Sequence, residues 1–304
     1  MNTRALIPAA VLLIGCSLHR RPAEIEPVRG PARDSLLRLD QARGDSVVAR
    51  GRVTGALALI GPDVAYLRAG IPAVYGRDAA RALFDIAPVV PGPLPTWQPL
   101  GGGVSRDLRS GYTFGIAAHV DTPKGSLQVD RYIAFWQRAG GQPWRIVAYA
   151  EVNGPAAEEI RFSAGQLAPP TPALSRSGVE TAARVRASDS AFADLGDRMG
   201  SAFAFSATIA PDGAIFGGPT LVVGSKAVRE FEEAQGGGTS LTWRPVYALA
   251  AESGDLGFTV GEYIATGRSP SGAAVQRFGK YLTVWQRQPD GGWKFVMHGG
   301  NATR

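Results

Sequence analysis

The sequence predicts an α+β protein built from two copies of one domain, and two observations carry this prediction. Residues 132–147 (YIAFWQRAGGQPWRIV) and 281–296 (YLTVWQRQPDGGWKFV) share tyrosine, tryptophan, glutamine, arginine and valine positions that lie 149 residues apart (281 − 132). Each stretch has the pattern of a β-hairpin, an alternating strand followed by a turn and a second strand. Apolar stripes at helical spacing precede both hairpins. Each copy is therefore predicted to carry helices on one face of a sheet.

The first helix of each copy is predicted from its N-cap and its apolar stripe. In copy one the helix is expected to begin near Asp34, and in copy two Asp189 stands at the matching point. Stripes at helical spacing are usually buried, so we expect these side chains in the core. They are Leu36 and Leu39 in the first copy, and Phe192, Leu195, Met199 and Phe203 in the second.

A short strand, a second helix and a glycine-framed strand recur in the same order. In copies one and two respectively, the short strand is predicted at 63–67 and 214–216, the second helix at 76–84 and 224–231, and the glycine-framed strand at 111–115 and 257–261. Several ordered matches in one register are much harder to obtain by chance than one. The predicted boundaries are copy one at 34–153, a proline-rich linker at 154–178 and copy two at 179–304.

The N-terminus has the pattern of an export signal. After Arg4, residues 5–14 form an apolar run that is too short to span a bilayer. Residues 13–16 (LIGC) resemble the lipobox of bacterial lipoproteins, and Cys16 is the only cysteine. The resemblance implies a signal at 1–16, lipidation of Cys16 and, because Ser17 follows, an outer-membrane anchor facing the periplasm. An ordinary signal peptide with an incidental cysteine is the alternative.

Residues 17–33 contain three prolines and no hydrophobic period, which predicts a flexible tether. Four arginines of a chain with a net charge of +6 lie in this tether, and the other basic residues are scattered. Without a basic stripe or an RNA-binding signature, no nucleic-acid partner is predicted. The tether is expected to lie near anionic head groups or to be a soluble arm.

Four stretches of the second copy carry a family resemblance. They are LTWRPVY (241–247), SGDLGFTVG (253–261), GKYLTVWQR (279–287) and DGGWK (290–294). Together they resemble the SnoaL-like domains of the nuclear transport factor 2-like superfamily, and copy one matches more weakly. The resemblance implies a cone-shaped α+β fold in which a curved antiparallel sheet wraps around helices and encloses a pocket. The superfamily includes isomerases, epoxide hydrolases, polyketide cyclases and non-catalytic binding domains, so function has to be argued from the site.

Two residues are candidates for acid–base chemistry in copy two. The resemblance implies a general-base role for a pocket aspartate, for which Asp255 is the candidate, but its glycine neighbours favour a structural turn. Copy one has Arg109 at that position. His298 is a titratable group near the end of the last strand, whereas copy one has Tyr149 there. Without an acidic partner nearby in sequence, a structural role for His298 is favoured.

Aromatic and cationic side chains of copy two are predicted to line a pocket for an apolar or aromatic ligand. Core packing is the alternative, but Tyr263 and Arg277 have no clear counterpart in copy one and are the more specific candidates. Three widely separated histidines suggest no metal site, and no cofactor is expected. The candidate ligand-binding residues are Tyr247, Tyr263, Arg277, Tyr281 and His298.

Taken together, these patterns favour an envelope lipoprotein that binds a small apolar ligand or a protein partner without catalysis. The alternative is an isomerase, cyclase or hydrolase that uses Asp255 or His298 in copy two. The two copies are expected to pair with each other as an intramolecular pseudo-dimer, or the chain to form a homodimer.

Overall fold

The computed structural model describes residues 26–50, 52–85, 96–120, 127–152, 175–217, 220–235, 240–269 and 271–303. Copy one contains α1 (Glu26–Gln41), α2 (Arg43–Arg50), α3 (Arg52–Leu57), β1 (Ile60–Leu67), β2 (Val74–Tyr75), α4 (Arg77–Asp85), β3 (Thr96–Val104), β4 (Ser110–Val120), β5 (Leu127–Gln137) and β6 (Arg145–Val152). Copy two contains α5 (Arg176–Met199), α6 (Ser201–Thr208), β7 (Ile209–Gly217), β8 (Thr220–Val223), α7 (Ser225–Gln235), β9 (Ser240–Ala250), β10 (Leu256–Arg268), β11 (Ala274–Arg287) and β12 (Trp293–Ala302). None of the described helices is long and apolar enough to cross a membrane.

Both copies have the same sheet topology. The strand order is β2-β1-β6-β5-β4-β3 in copy one and β8-β7-β12-β11-β10-β9 in copy two. The predicted α+β class with tandem cones is confirmed. The prediction that each sheet is antiparallel is wrong, because each sheet also contains one parallel pair of strands. The pairs β1–β6 and β7–β12 are parallel. A parallel pair needs a long connection, which a helix and three further strands provide in each copy.

The echoing hairpins occupy equivalent strands with the same irregularity. Trp136 on β5 pairs with Ile146, and Trp285 on β11 pairs with Phe295. In each copy the register shifts immediately before the tryptophan. A β-bulge bends its strand and increases the local twist, so the shared bulge helps each sheet to curve around its helices. The repeat seen in the sequence is therefore a repeat of structure.

The first helices begin earlier than predicted. Helix α1 starts at Glu26, so residues 26–33, which were assigned to the tether, are helical. Helix α5 starts at Arg176 inside the predicted linker, where the hydroxyl of Ser175 caps it by accepting a 3.2 Å hydrogen bond from the Gly178 amide. Asp189 therefore lies in the middle of α5 and is not near its N-terminus.

Part of the predicted apolar stripe in copy two is not core. Phe192 is buried, but Met199 is 58% and Phe203 is 37% exposed. The reason is that α5 ends at Met199 and the chain turns at Gly200, where φ is 85°, before α6 begins. The helical period is interrupted at this turn, so the last two members of the stripe point away from the sheet.

Each sheet has an inner face, covered by the helices of its own copy, and an outer face. The inner faces enclose two separate cores, one around Trp136 and one around Trp285. The two outer faces pack against each other and form a third apolar cluster that contains residues of both copies. At its centre the rings of Phe135 and Phe258 lie 4.8 Å apart. Apolar residues thus occupy both faces of the central strands.

Polar contacts between the copies surround this cluster. The Asn301 amide of copy two donates to the Leu67 carbonyl of copy one at 3.1 Å. The turn before β10 and the turn before β4 also bind each other. Asp255 accepts from the Arg106 amide at 3.0 Å, and Asp107 accepts from the Ser253 amide at 3.2 Å. The paired turns and the shared cluster fix the relative position of the two copies.

Candidate functional site

A buried carboxylate network lies at the inner face of copy two. Asp189 of α5 is fully buried. The Tyr281 hydroxyl donates to its Oδ1 at 3.1 Å, and the Thr259 hydroxyl donates to its Oδ2. The Trp285 indole N–H donates to the Thr259 oxygen at 2.9 Å. Two strands, β10 and β11, and one helix therefore converge on a single carboxyl group.

Copy one repeats most of this network and adds a cation. The Tyr132 hydroxyl donates to Oδ2 of Asp40 at 2.6 Å, and Trp136 donates to Thr113 at 2.9 Å. The guanidinium Nη1 of Arg43 lies 3.3 Å from Oδ1 of the same carboxylate. Since Asp40 is fully buried and Arg43 nearly so, this is a buried ion pair.

The residue that fills the inside of the cone differs between the copies. Arg43 stands 149 positions before Phe192 (192 − 43). Its guanidinium carbon lies 4.7 Å from the ring centres of both Trp97 and Tyr149. In copy two the Phe192 ring lies 4.7 Å from the ring of Trp243. A cation sandwiched between rings in copy one is thus replaced by an all-aromatic contact in copy two.

This replacement changes the electrostatics of the carboxylate. Burial raises the pKa of Asp189 to about 7, and the hydrogen bonds from Thr259 and Tyr281 oppose this rise only in part. Burial beside Asp189 also raises the pKa of Tyr281 well above its ordinary value, so that its hydroxyl stays protonated and donates. A carboxyl group with a pKa near neutrality is a common property of acid–base sites, although structural groups also have it.

The glycine-framed strands provide the space that the network tyrosines need. A Cβ atom at Gly261 would lie 2.1 Å from the Tyr281 ring, and one at Gly115 would lie 2.9 Å from the Tyr132 hydroxyl. Both distances are shorter than carbon and oxygen atoms tolerate. The last glycine of each shared frame, GYTFG and GFTVG, therefore leaves room for a tyrosine of the neighbouring strand, and Gly115 also for the Gln98 carbonyl, which a Cβ would meet at 2.2 Å.

His298 lies beside this network without joining a carboxylate. Its Nδ1 is 2.8 Å from the Thr283 hydroxyl, and its ring is 5.5 Å from the Tyr281 ring. Burial lowers the pKa of His298, so the neutral imidazole is favoured. Its counterpart Tyr149 accepts a hydrogen bond from Trp97 at 3.3 Å. In copy two the equivalent indole N–H, that of Trp243, has no partner among the described residues.

Asp255 lies outside the cone. It is 5% exposed, and the turn that contains it contacts copy one. Besides the Arg106 amide it accepts a 2.6 Å hydrogen bond from the Ser253 hydroxyl, and Arg29 of α1 lies 3.9 Å away. This position makes Asp255 part of the contact between the copies. Arg109, its counterpart in sequence, is exposed and lies 3.9 Å from Glu252.

The structure does not bring the predicted ligand-binding residues together. Tyr281 and His298 belong to the inner face, whereas Tyr247 lies between the outer faces with its ring 5.8 Å from that of Tyr75. Tyr263 packs across Gly279, where an added Cβ would lie 2.1 Å from its ring. Arg277 is exposed near the tip of the same hairpin. These side chains thus lie on different faces of the sheet.

The described inner-face residues of each copy pack into a core of aromatic and aliphatic side chains, and a cavity lies where the two copies meet. It has a volume of about 690 Å³ and is lined by residues of β9, β10 and β11, by Thr303 and by residues 72, 73 and 75 of copy one. Its wall includes Trp243 of the inner core of copy two and Tyr263, one of the predicted ligand-binding residues. We refer to this cavity as the groove. Two apolar side chains of its wall reach solvent, since Ile264 is 38% and Phe278 is 49% exposed. Arg244 and Glu262, 3.8 Å apart, supply charges at its margin.

Lys280 is a groove residue that the sequence analysis did not identify. It is 1% exposed, and its amine donates to the Asn301 side-chain oxygen and, at 3.3 Å, to the Ala302 carbonyl. Burial lowers the pKa of this amine to about 7. Strand alternation provides a usable signal, because Lys280 shares its face with Leu282 and Val284, which are buried between the copies. No cluster of metal-ligating side chains occurs in the described part of the chain.

Comparison with known proteins finds similarity at the level of the fold. No family model matches the chain, and no curated protein matches it significantly. A ketosteroid isomerase-like protein from Erwinia carotovora atroseptica is 17% identical over 41% of this chain and 98% of its own, with a TM-score of 0.37. An NTF2-like protein with a cystatin-like fold from Novosphingobium aromaticivorans is 19% identical over 41% of this chain and 82% of its own, with a TM-score of 0.33. Each match has about the length of one copy.

Proposed function

We propose that this chain is a non-catalytic binding protein that holds a small apolar ligand in the groove between its two copies. The observation that carries the proposal is the combination of a cavity of about 690 Å³ with solvent-exposed apolar side chains in its wall. Sites for small molecules have volumes of roughly 300–1,000 Å³, mostly apolar walls and few polar groups. In this proposal the copies are a permanent pair whose outer faces form the site.

The geometry of copy two gives less support to an enzyme of isomerase, cyclase or hydrolase type. A general base has to come within about 2.6–3.2 Å of the proton that it removes, directly or through one water. Asp189 is fully buried and both of its oxygens already accept hydrogen bonds. His298 forms a hydrogen bond with Thr283 and packs against the ring of Phe205 in the interior of copy two. Either residue would need the aromatic interior to open before it could meet a substrate.

A neutral fluorescent probe tests the groove. We expect N-phenyl-1-naphthylamine to bind the full chain and to gain fluorescence. The substitution Phe278→Ser should weaken binding roughly tenfold, because removing apolar contact area of a half-exposed phenyl ring costs about 1–2 kcal/mol. Titrations monitored by fluorescence measure the change in Kd.

The matched control is Phe203→Ser, which removes a similarly exposed ring from α6, away from the groove. The two variants should differ in probe binding while having the same circular dichroism. Equal weakening in both variants, or no binding to the native chain, would contradict a groove site.

We further propose that the protein is an outer-membrane lipoprotein anchored through Cys16. This residue lies outside the described residues, and the support is the lipobox resemblance together with the position of the only cysteine. The substitution Cys16→Ser should move the protein from the membrane fraction to the soluble fraction, because acyl chains supply the anchoring free energy. Fractionation after a high-salt wash measures this, since salt removes the electrostatic attraction of the basic residues. Retention of the variant with membranes after the wash would rule out the lipid anchor.

A further inference from the structure

The groove contains a primary amine in an environment that is rare for lysine. Lys280 lies on the outer face of β11, one position from the fully buried ring of Tyr281 on the inner face. It lines the groove together with Phe278, its neighbour on the same face. Since the residue is only 1% exposed, a molecule has to enter the groove in order to reach it. The groove is therefore a route by which a small molecule can approach this side chain.

The Lys280 amine donates to two uncharged acceptors. Both acceptors, the Asn301 side-chain oxygen and the Ala302 carbonyl, are uncharged. Asn301 is itself held in place, since its amide donates to the carbonyls of Leu67 and Glu151. A neutral amine has two N–H donors and one lone pair, so two acceptors satisfy the donors and leave the lone pair available. Among the described residues, no carboxylate lies within 4.0 Å of the Lys280 amine.

The charges that face the amine come from both copies. Glu262 is its register partner on β10 and lies 3.8 Å from Arg244, with which it pairs. Glu151 of β6 attracts the ammonium form from across the contact between the copies, and Arg68 lies close to that carboxylate. Burial outweighs the attraction of Glu151 and lowers the pKa of Lys280. A substantial neutral fraction is therefore present at neutral pH, which makes the amine nucleophilic.

We propose that Lys280 binds small apolar aldehydes or ketones covalently in the groove, as a reversible imine. This inference rests on the proposed function, of which it names the ligand class. The amine lone pair attacks the carbonyl carbon, and the electron pair of the C=O bond moves to the oxygen to give a carbinolamine. The oxygen then leaves as water with both hydrogens of the amine, and a C=N bond remains. Carbonyl compound and amine are the only reactants, and water is the only by-product.

The surroundings of the groove suit this chemistry. Val246, Val260 and Phe278 supply apolar wall area for the rest of the ligand. The same burial that keeps the amine neutral limits access of water, which would hydrolyse the imine. The amine of Lys226 on α7 lies in a contrasting environment to that of Lys280, because the Lys226 side chain is 91% exposed and its amine lies 3.8 Å from the Glu230 carboxylate. It therefore serves as an internal reference within the same molecule.

Reductive trapping tests the proposal. The full chain is mixed with benzaldehyde and sodium cyanoborohydride, and the modified peptides are mapped by mass spectrometry. The sequence has four lysines, at 124, 226, 280 and 294, so each site can be resolved. At pH 7.5 we expect Lys280 to be labelled at least tenfold faster than Lys226, with a pH profile whose midpoint lies near the lowered pKa. Labelling of Lys226 and Lys294 with Lys280 unmodified would overturn the proposal.

Two further measurements separate this inference from the groove site itself. The substitution Lys280→Met keeps an unbranched side chain and removes the amine, so the fast labelling should disappear while Lys226 keeps its labelling rate. The second measurement is binding of the neutral fluorescent probe to the native chain. If the native chain binds the probe but gives no Lys280 adduct, only the carbonyl chemistry is wrong. If it neither binds the probe nor forms the adduct, the proposed function is wrong as well. Mapping of the native chain does not depend on whether the variant folds.

Discussion

The substitution Arg43→Ala is expected to lower the free energy of unfolding by about 3–5 kcal/mol, the usual cost of breaking a buried ion pair. The reason is that Asp40 would remain fully buried with a negative charge, and among the described residues the hydroxyl of Tyr132 would be its remaining hydrogen-bond donor. The guanidinium also fills the space between Trp97 and Tyr149, so its removal leaves a cavity between the two rings. Chemical denaturation of the full chain measures the change.

The control for this prediction is Arg229→Ala on α7. Arg229 lies 2.8 Å from Glu233, but both side chains are more than half exposed, and exposed pairs contribute only about 0–1 kcal/mol. A double variant, Arg43→Ala with Asp40→Asn, should recover part of the lost stability because it removes the unpaired charge. A loss of less than about 1 kcal/mol for Arg43→Ala would contradict the buried ion pair.

The stability of copy two is expected to depend on pH through Asp189. The folded carboxyl has a pKa of about 7, whereas an unfolded aspartate has a pKa of about 3.9. Between these values the folded state binds more protons than the unfolded state, so the contribution of Asp189 to stability falls as pH rises. Summed from pH 4 to pH 7, the loss is about 3 kcal/mol.

Comparison with Asp189→Asn isolates this contribution, since the amide does not titrate. The native chain should lose stability relative to the variant from pH 4 to pH 7, and the difference should level off above pH 8. His298, whose pKa is lowered by burial, has the opposite effect between its folded pKa and its ordinary value. That effect is present in both proteins and cancels in the difference. A difference that stays constant across this range would show that Asp189 is ionised in the folded protein.

The sequence allowed the repeat to be predicted because the repeat rests on local patterns. Alternating strands, turn residues and a constant spacing of 149 positions identify the two hairpins, and the structure places Trp136 and Trp285 at equivalent bulges. The glycine-framed strands were also predicted from the sequence, but only the distances show that the last glycine of each frame, Gly115 or Gly261, lies against a tyrosine.

The carboxylate network was missed because the first helices were aligned incorrectly. The prediction treated Asp34 as the equivalent of Asp189. In the structure the equivalent residue is Asp40, which precedes Asp189 by the same 149 positions that separate the hairpins (189 − 40). Asp40 and Asp189 each lie 92 residues before the tyrosine that donates to them. Applying the spacing of the hairpins to the helices would have identified both carboxylates and the change from Arg43 to Phe192.

The groove is not predictable from local patterns. Its wall is formed where residues near Tyr75 of copy one meet the outer face of copy two, and these segments are far apart in the chain. Alternation marks Lys280 as a residue of the outer face, but only the packing of the two sheets shows that this face is buried there. The orientation of one sheet relative to another depends on the summed side-chain packing and leaves no short motif.

The central claim is that ligands bind between the copies and not inside a cone. The most direct measurement is a crystal structure of the full chain soaked with iodobenzene, whose iodine gives an anomalous signal. We expect an iodine peak in the groove beside Phe278 and Val260, with the inner-face cores of both copies unchanged. A peak inside copy two between Phe192 and Trp285, with the groove empty, would contradict a site between the copies and would favour the enzymatic alternative.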